Sequence, residues 1–243
     1  MSDANGNQKN ELNNETGNVD ANFSGGSGVS RFITPGGNPM DTSQPAFPVF
    51  HRKFANPAPL GLLAFGGTTF VLSLFNAQAR DVKHPNVILG LALGYGGLAQ
   101  IIAGIEEWAC GNTFGATAFT SYGSFWLSFS VFYIPQLEVM SAYPTQHERD
   151  AALGIYLTMW GIITFIFLLG TLRSSVSLFL VFFFLVITFF VLAAGHFTAH
   201  ITITKAGGGL GVVTAICAFY TALAGILTKE TSYFILPVGD LSK

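Results

Sequence analysis

Glu106 and Glu107 close one long apolar run, and His196 and His200 stand four apart near the end of another. These are the titratable side chains whose type and position suit chemistry. A carboxylate at membrane depth marks either a proton-handling site or a buried structural partner. For Glu107 both roles stay open, with a structural one, accepting from Asn112 or Thr113, somewhat favoured. Two imidazoles at i and i+4 share a helix face and suit a metal. No cysteine or carboxylate accompanies them within a turn, so no metal site is expected. They read instead as groups that titrate between about pH 5 and 8. A neutral set lies at Thr68, Thr69 and Asn76, on one helical face with Phe65 and Leu72. Two hydroxyls and an amide can hydrogen-bond a small carboxylate without the grip of a buried lysine, or pair with neighbouring helices. Thr117, Thr120, Ser121, Ser124 and Ser128 make a second polar stripe, for helix packing or for a pore lining. Nothing resembles a catalytic triad, a phosphate loop or a redox centre. No enzyme activity and no cofactor are expected.

The elements that must hold these groups follow from composition. The chain has 243 residues, 50% hydrophobic and 10% charged, where soluble domains carry about a quarter charged residues. A net charge of −2 with no basic stripe excludes nucleic acid as a partner. Cys110 and Cys217 have neither metal-ligand spacing nor the pattern of a disulfide framework. Six runs without a charged residue, near 60–79, 86–105, 117–135, 151–172, 174–195 and 207–228, are each long enough to cross a hydrocarbon core of about 30 Å. The expected fold is therefore an all-α integral membrane protein of six transmembrane helices. Arg173 marks the tight turn between runs four and five.

Residues 1–50 are rich in Asn, Gly, Ser, Thr and Pro and lack the apolar core of a cleavable signal, which predicts a disordered tail. Two glycosylation sequons, at Asn14 and Asn22, read as chance matches. Residues 51–230 form the membrane domain and 231–243 a short C-terminal tail. Arg52, Lys53, Arg173, Lys229 and Lys243 stand against Arg80, Lys83, Arg149 and Lys205, a balance too even to orient the chain. Small-residue stripes predict close helix contacts at Gly211, Ala215, Ala218, Ala222 and Gly225, at Gly90, Gly94, Gly97 and Gly104, and at Gly154, Thr158 and Gly161. Phe179 to Phe190 read as a lipid-facing or subunit-facing surface. Trp108 and Trp126 read as interface anchors or packing residues.

Two motifs go further. Asn56-Pro57-Ala58-Pro59-Leu60-Gly61-Leu62-Leu63-Ala64-Phe65-Gly66 begins the first run, with Asn56 placed to cap a helix and the prolines suited to its first turn. Gly111-Asn112-Thr113-Phe114-Gly115-Ala116-Thr117-Ala118-Phe119-Thr120-Ser121-Tyr122-Gly123-Ser124-Phe125-Trp126 begins the third. Together they resemble the signatures of the acetate uptake transporter family, also called the YaaH or SatP family, over about 56–239. The Asn-rich tail resembles fungal members.

The resemblance implies a passage for acetate and related small monocarboxylates, and for succinate beside them, through a plasma membrane. It also implies cytoplasmic ends and a ring-shaped homo-oligomer, commonly of six subunits. In SatP-type members a phenylalanine, a tyrosine and a leucine narrow the pore, which places the constriction at Phe65, Tyr122 and Leu185. The substrate path or its motifs then take in Asn56, Pro57, Pro59, Gly61, Thr68, Thr69, Asn76, Gln100, Asn112, Thr113, Thr117, Thr120 and Ser121, with Glu107 as the acidic position for proton coupling or structure. Tyr122 lies roughly 140° around an ideal helix from Thr117, so the polar stripe and the aromatic gate cannot both face a pore. The stripe is assigned to packing. No Lys or Arg lies inside any run, and the lining is expected to be free of fixed cations. Two alternatives stand beside transport of acetate: ammonium transport, which the scarcity of intramembrane acids weakens, and a non-transporting membrane sensor or scaffold.

Overall fold

A backbone crossing hydrocarbon must satisfy its own amides and carbonyls, and a helix does so within a single segment. The computed structural model describes residues 55–242. Among them run six long helices: α1 Ala58–Asn76, α2 Ile88–Ala109, α3 Thr113–Ser130, α4 Gln146–Gly170, α5 Val176–Thr198 and α6 Ile201–Ile226. All but α3 are long and apolar enough to span a membrane. The Ser and Thr residues of α3 lower its hydropathy, and neighbouring helices shelter its inner face. The tail at 1–50, the sequons at Asn14 and Asn22, and Arg52, Lys53 and Lys243 lie outside the described residues.

Four helix starts have polar partners, while those of α2 and α6 have no side-chain cap. Asn112 accepts from Gly115 N at 3.1 Å for α3, and Thr145 accepts from Glu148 N at 3.1 Å for α4. Pro57 is the N-cap of α1, and Asn56 Oδ1 accepts from Ala58 N at 3.1 Å. The start of α5 uses Ser175 and also the C-terminal segment: Val176 N donates to Gly239 O at 2.7 Å and Ser177 N to Val238 O at 3.0 Å. Orphan amides of that first turn thus find carbonyls from the end of the chain. Gly239 sits there at φ +69, in the left-handed region where a side chain is strained.

Packing follows the small residues in part. The backbones of α1 and α6 meet at Gly208, where a Cβ would fall 2.5 Å from Ala77 N. Ala215, Ala218 and Ala222 are buried along the same helix. Gly154 and Gly161 face the rings of Phe197 and Phe190 across the α4–α5 contact. In α2 the expected stripe holds at Gly97 and Gly104 and fails at Gly90 and Gly94. Gly90 and Gly94 have open space around them, and the close contacts fall at Gly96, Gly97 and Gly104. The reason is a π-helical turn over Gly94–Ala99, which rotates the rest of α2 relative to its start.

The outer surface is apolar in the manner of a helix in lipid. Ile155, Met159, Ile162, Ile166 and Leu169 form one exposed stripe of α4. Helix α5 is not simply an outer surface as expected. Phe183 and Phe190 point out, while Phe182, Leu185 and Phe189 are buried and face α3 and α4. Trp108 is exposed at the end of α2, whereas Trp126 is buried against Phe125 and Phe129 and is a packing residue.

Candidate functional site

Two cavities lie within the bundle. The first, of about 160 Å³, is bounded by the start of α1 at Ala58 and Pro59, by Gln100 and Glu107 of α2, and by parts of α3, α5 and α6. The second, of about 410 Å³, extends towards the opposite helix ends, past Thr69 and Asn76 of α1, Arg149 of α4 and His196 of α5. Phe65, Tyr122 and Leu185 are the three residues that line both. Each sits near the middle of its helix, and each is at least nine-tenths buried.

The partition they form is aromatic and rigidly held. The rings of Phe65 and Tyr122 lie 5.4 Å apart, tilted by 57°. Behind them Tyr122 packs on Phe167 at 5.7 Å and on Phe182 and Trp160, each at 6.2 Å. Such pairs contribute roughly 0.5–1.5 kcal/mol each beyond the area they bury. The Tyr122 hydroxyl donates to Thr164 Oγ1 at 2.8 Å, and Thr164 in turn donates to Trp160 O at 2.7 Å. With its proton committed, Tyr122 presents ring carbon to the passage. Thr164 did not emerge from the sequence reading, although it continues the Gly154, Thr158, Gly161 series by one further step of three.

Gln100, Glu107 and Asn112 bring polar groups to the first cavity from α2 and its junction with α3, beside Ser175 and Thr221. Asn112 Nδ2 donates to Glu107 Oε2 at 2.7 Å while Asn112 Oδ1 caps α3. One Glu107 oxygen is therefore structural. Its other oxygen, Oε1, meets no protein donor, and both amide atoms of Gln100 likewise lack a partner. Both side chains are buried and line the cavity.

The remaining sequence candidates divide. Pro59, Thr69, Asn76, Gln100, Glu107 and Asn112 line one cavity or the other, as does Ser73, which the motifs did not single out. Thr68 lines neither; its hydroxyl donates to Ala64 O at 2.9 Å, and a Cβ on Gly96 would fall 2.7 Å from it. Asn56 and Pro57 precede α1, and Gly61 accommodates the Phe119 ring. Thr113 opens α3 and accepts at its carbonyl from Thr117 Oγ1 at 2.8 Å. Thr117, Thr120 and Ser121 border a shallow outer groove beside Gly104 and Trp108, away from both cavities. The hydroxyls of Thr117, Thr120 and Ser124 bond to carbonyls of their own helix. One expectation is corrected: α4 begins at Gln146 rather than near 151, so Arg149 lies in its first turn and lines the second cavity. The constriction itself carries no cation.

Ammonia transport outward protein 2 of Saccharomyces cerevisiae is 49% identical over 195 residues, covering 78% of this chain and 69% of that protein. Acetate permease A of Emericella nidulans is 47% identical over 198 residues, covering 77% and 66%. The chain spans about two thirds of the length of such fungal relatives, 65% in one case. The solved structure of the bacterial acetate channel SatP superposes with a TM-score of 0.69 at 40% identity, covering 77% of this chain and all of that one. Residues 39–243 match a family profile as well, and the chain belongs to the GPR1/FUN34/yaaH family.

Proposed function

We propose that this multi-pass membrane protein passes acetate and similar small monocarboxylates, with succinate as a further substrate, across a plasma membrane through the constriction of Phe65, Tyr122 and Leu185. The observation that carries the reading is that these three side chains alone line both cavities. A small anion that has shed part of its water meets hydroxyls and amides on either side and ring carbon between. Binding without a central cation stays weak enough for release. Acids of this kind have a pKa near that of a side-chain carboxyl, about 4.3, so the anion dominates at neutral pH. The protein acts by passage and not by catalysis.

In this reading both ends of the chain lie in the cytoplasm, with 1–50 as a tail and 231–243 as a strap on the first turn of α5. The first cavity then opens inwards and the second outwards. The subunits assemble as a ring, six by resemblance, each with its own passage. Glu107 Oε1 and the Gln100 amide, both without protein partners, suit a group that can donate as well as accept, as a protonated acid does. Glu107 is the candidate for proton coupling on that ground.

A second reading has an observation behind it. Glu107 Oε1 and Gln100 Oε1 are buried acceptors lacking donors, which also suits ammonium, and one relative is named for ammonia transport. Counterflow of labelled acetate in vesicles containing the purified protein separates the two. Competition by acetate and not by ammonium supports the monocarboxylate reading, and an absence of acetate counterflow in vesicles that pass ammonium supports the other.

A further inference from the structure

Among the described residues, Arg149 is the one lysine or arginine that lines either cavity. It stands in the first turn of α4, lines the second cavity, and keeps its Nε buried without a hydrogen-bond partner. A guanidinium normally satisfies such a donor with a carboxylate. The acid next to it in sequence, Asp150, is engaged elsewhere: Oδ1 lies 3.4 Å from His196 Nδ1, and Oδ2 accepts from Gln146 Nε2 at 2.9 Å. Gln146 also accepts from Arg149 Nη1 at 3.1 Å, so this one amide bridges the arginine and the aspartate without a direct ion pair between them. Among the described residues no carboxylate lies within 4.0 Å of Arg149.

We propose that Arg149 is a capture site for the substrate carboxylate in the second cavity, ahead of the constriction. The inference rests on the reading of the passage as one for small carboxylates. A planar guanidinium presents donors in a fork that matches a carboxylate. The first turn of α4 adds the positive end of a helix dipole. Asn76 and Thr204 line the same cavity and offer further donors. The cavity is wide, about 410 Å³, so the anion keeps part of its water there. That keeps the attraction moderate and allows onward movement. A cation at this position raises the local concentration of anions without holding them at the narrow point. Arg149 therefore sets the concentration at which flux saturates, while Phe65, Tyr122 and Leu185 set which acids pass.

The test uses the full chain, purified and reconstituted. Guanidines of the wild-type protein are modified with phenylglyoxal, and each site is followed by mass spectrometry with and without acetate. Acetate slows modification of Arg149 and leaves Arg80 and Arg173 unaffected. In flux assays R149Q raises the half-saturating acetate concentration about tenfold, as expected for loss of one charge-assisted hydrogen bond. Its maximal flux and its preference among acids stay as in the wild type, and R149K recovers part of the loss. Equal modification of Arg149 with and without acetate would overturn the proposal, whether or not R149Q folds. Equal protection by chloride at the same ionic strength would overturn the assignment to carboxylates. Protection of Arg149 in a protein that passes no acetate would keep the site and refute the passage.

Discussion

The ring of Phe65 stands 5.4 Å from that of Tyr122, tilted by 57°, and with Leu185 this pair is all that the two cavities have in common. The three come from the middles of α1, α3 and α5. Their separation in sequence is large, and the bundle brings them together because α3 turns one face into it. A polar stripe turns that helix's other side away from the cavities.

Removing either ring should open the partition. F65A and Y122A are expected to raise flux of propionate and butyrate relative to acetate by several-fold or more. A buried aromatic truncated to alanine costs roughly 3–5 kcal/mol, so size-exclusion profiles accompany the flux ratios. Y122F keeps the ring and is expected to keep the wild-type preference. An unchanged ratio in both alanine variants would contradict the assignment.

Thr164 holds the Tyr122 hydroxyl at 2.8 Å. In T164V that buried hydroxyl loses its acceptor at a cost of about 1–3 kcal/mol. The expected result is a lower melting temperature together with a changed preference among acids, because the hydroxyl left without a partner, which Y122F lacks, turns towards the passage. A melting shift with no change of preference would confine Thr164 to a structural role.

Glu107 carries two roles on two oxygens. E107Q retains an acceptor for Asn112 Nδ2, which in the native protein lies 2.7 Å from Oε2, and so is expected to fold. It lacks an acidic proton, and its acetate flux is expected to depend less on pH than that of the wild type. N112A removes the α3 cap instead and is expected to cost about 1 kcal/mol of stability. Identical pH profiles for E107Q and wild type would leave Glu107 with the cap alone.

Gly239 combines a φ of +69 with close approach to Val176. G239A is expected to destabilise the chain by about 1–2 kcal/mol by loosening the strap on α5, read as a lower melting temperature with acid preference intact. No shift would mean that the segment contributes little to holding α5.

Much of this was legible in the residues. Charge-free runs announced the helices, because excluding charge from hydrocarbon is a strong constraint read one residue at a time. Phe65 and Tyr122 stood inside motifs of low redundancy. What stayed hidden depends on rotation and on where a helix starts. Gly90 and Gly94 fit a packing stripe until the π-turn of α2 turned them outwards. Arg149 fell outside the fourth run because counting stopped at charge, yet its helix begins at Gln146. Thr164 was invisible because its partner lies on another helix, and the strap because backbone carbonyls leave no mark in a sequence.

The most direct test places a thiol at the partition. L185C, made in a background without Cys110 and Cys217, is labelled with a small methanethiosulfonate reagent while acetate flux into vesicles is followed. The expected result is loss of flux in step with labelling, slowed by acetate. Flux that persists when position 185 is fully labelled would show that acetate takes another route or none through this bundle.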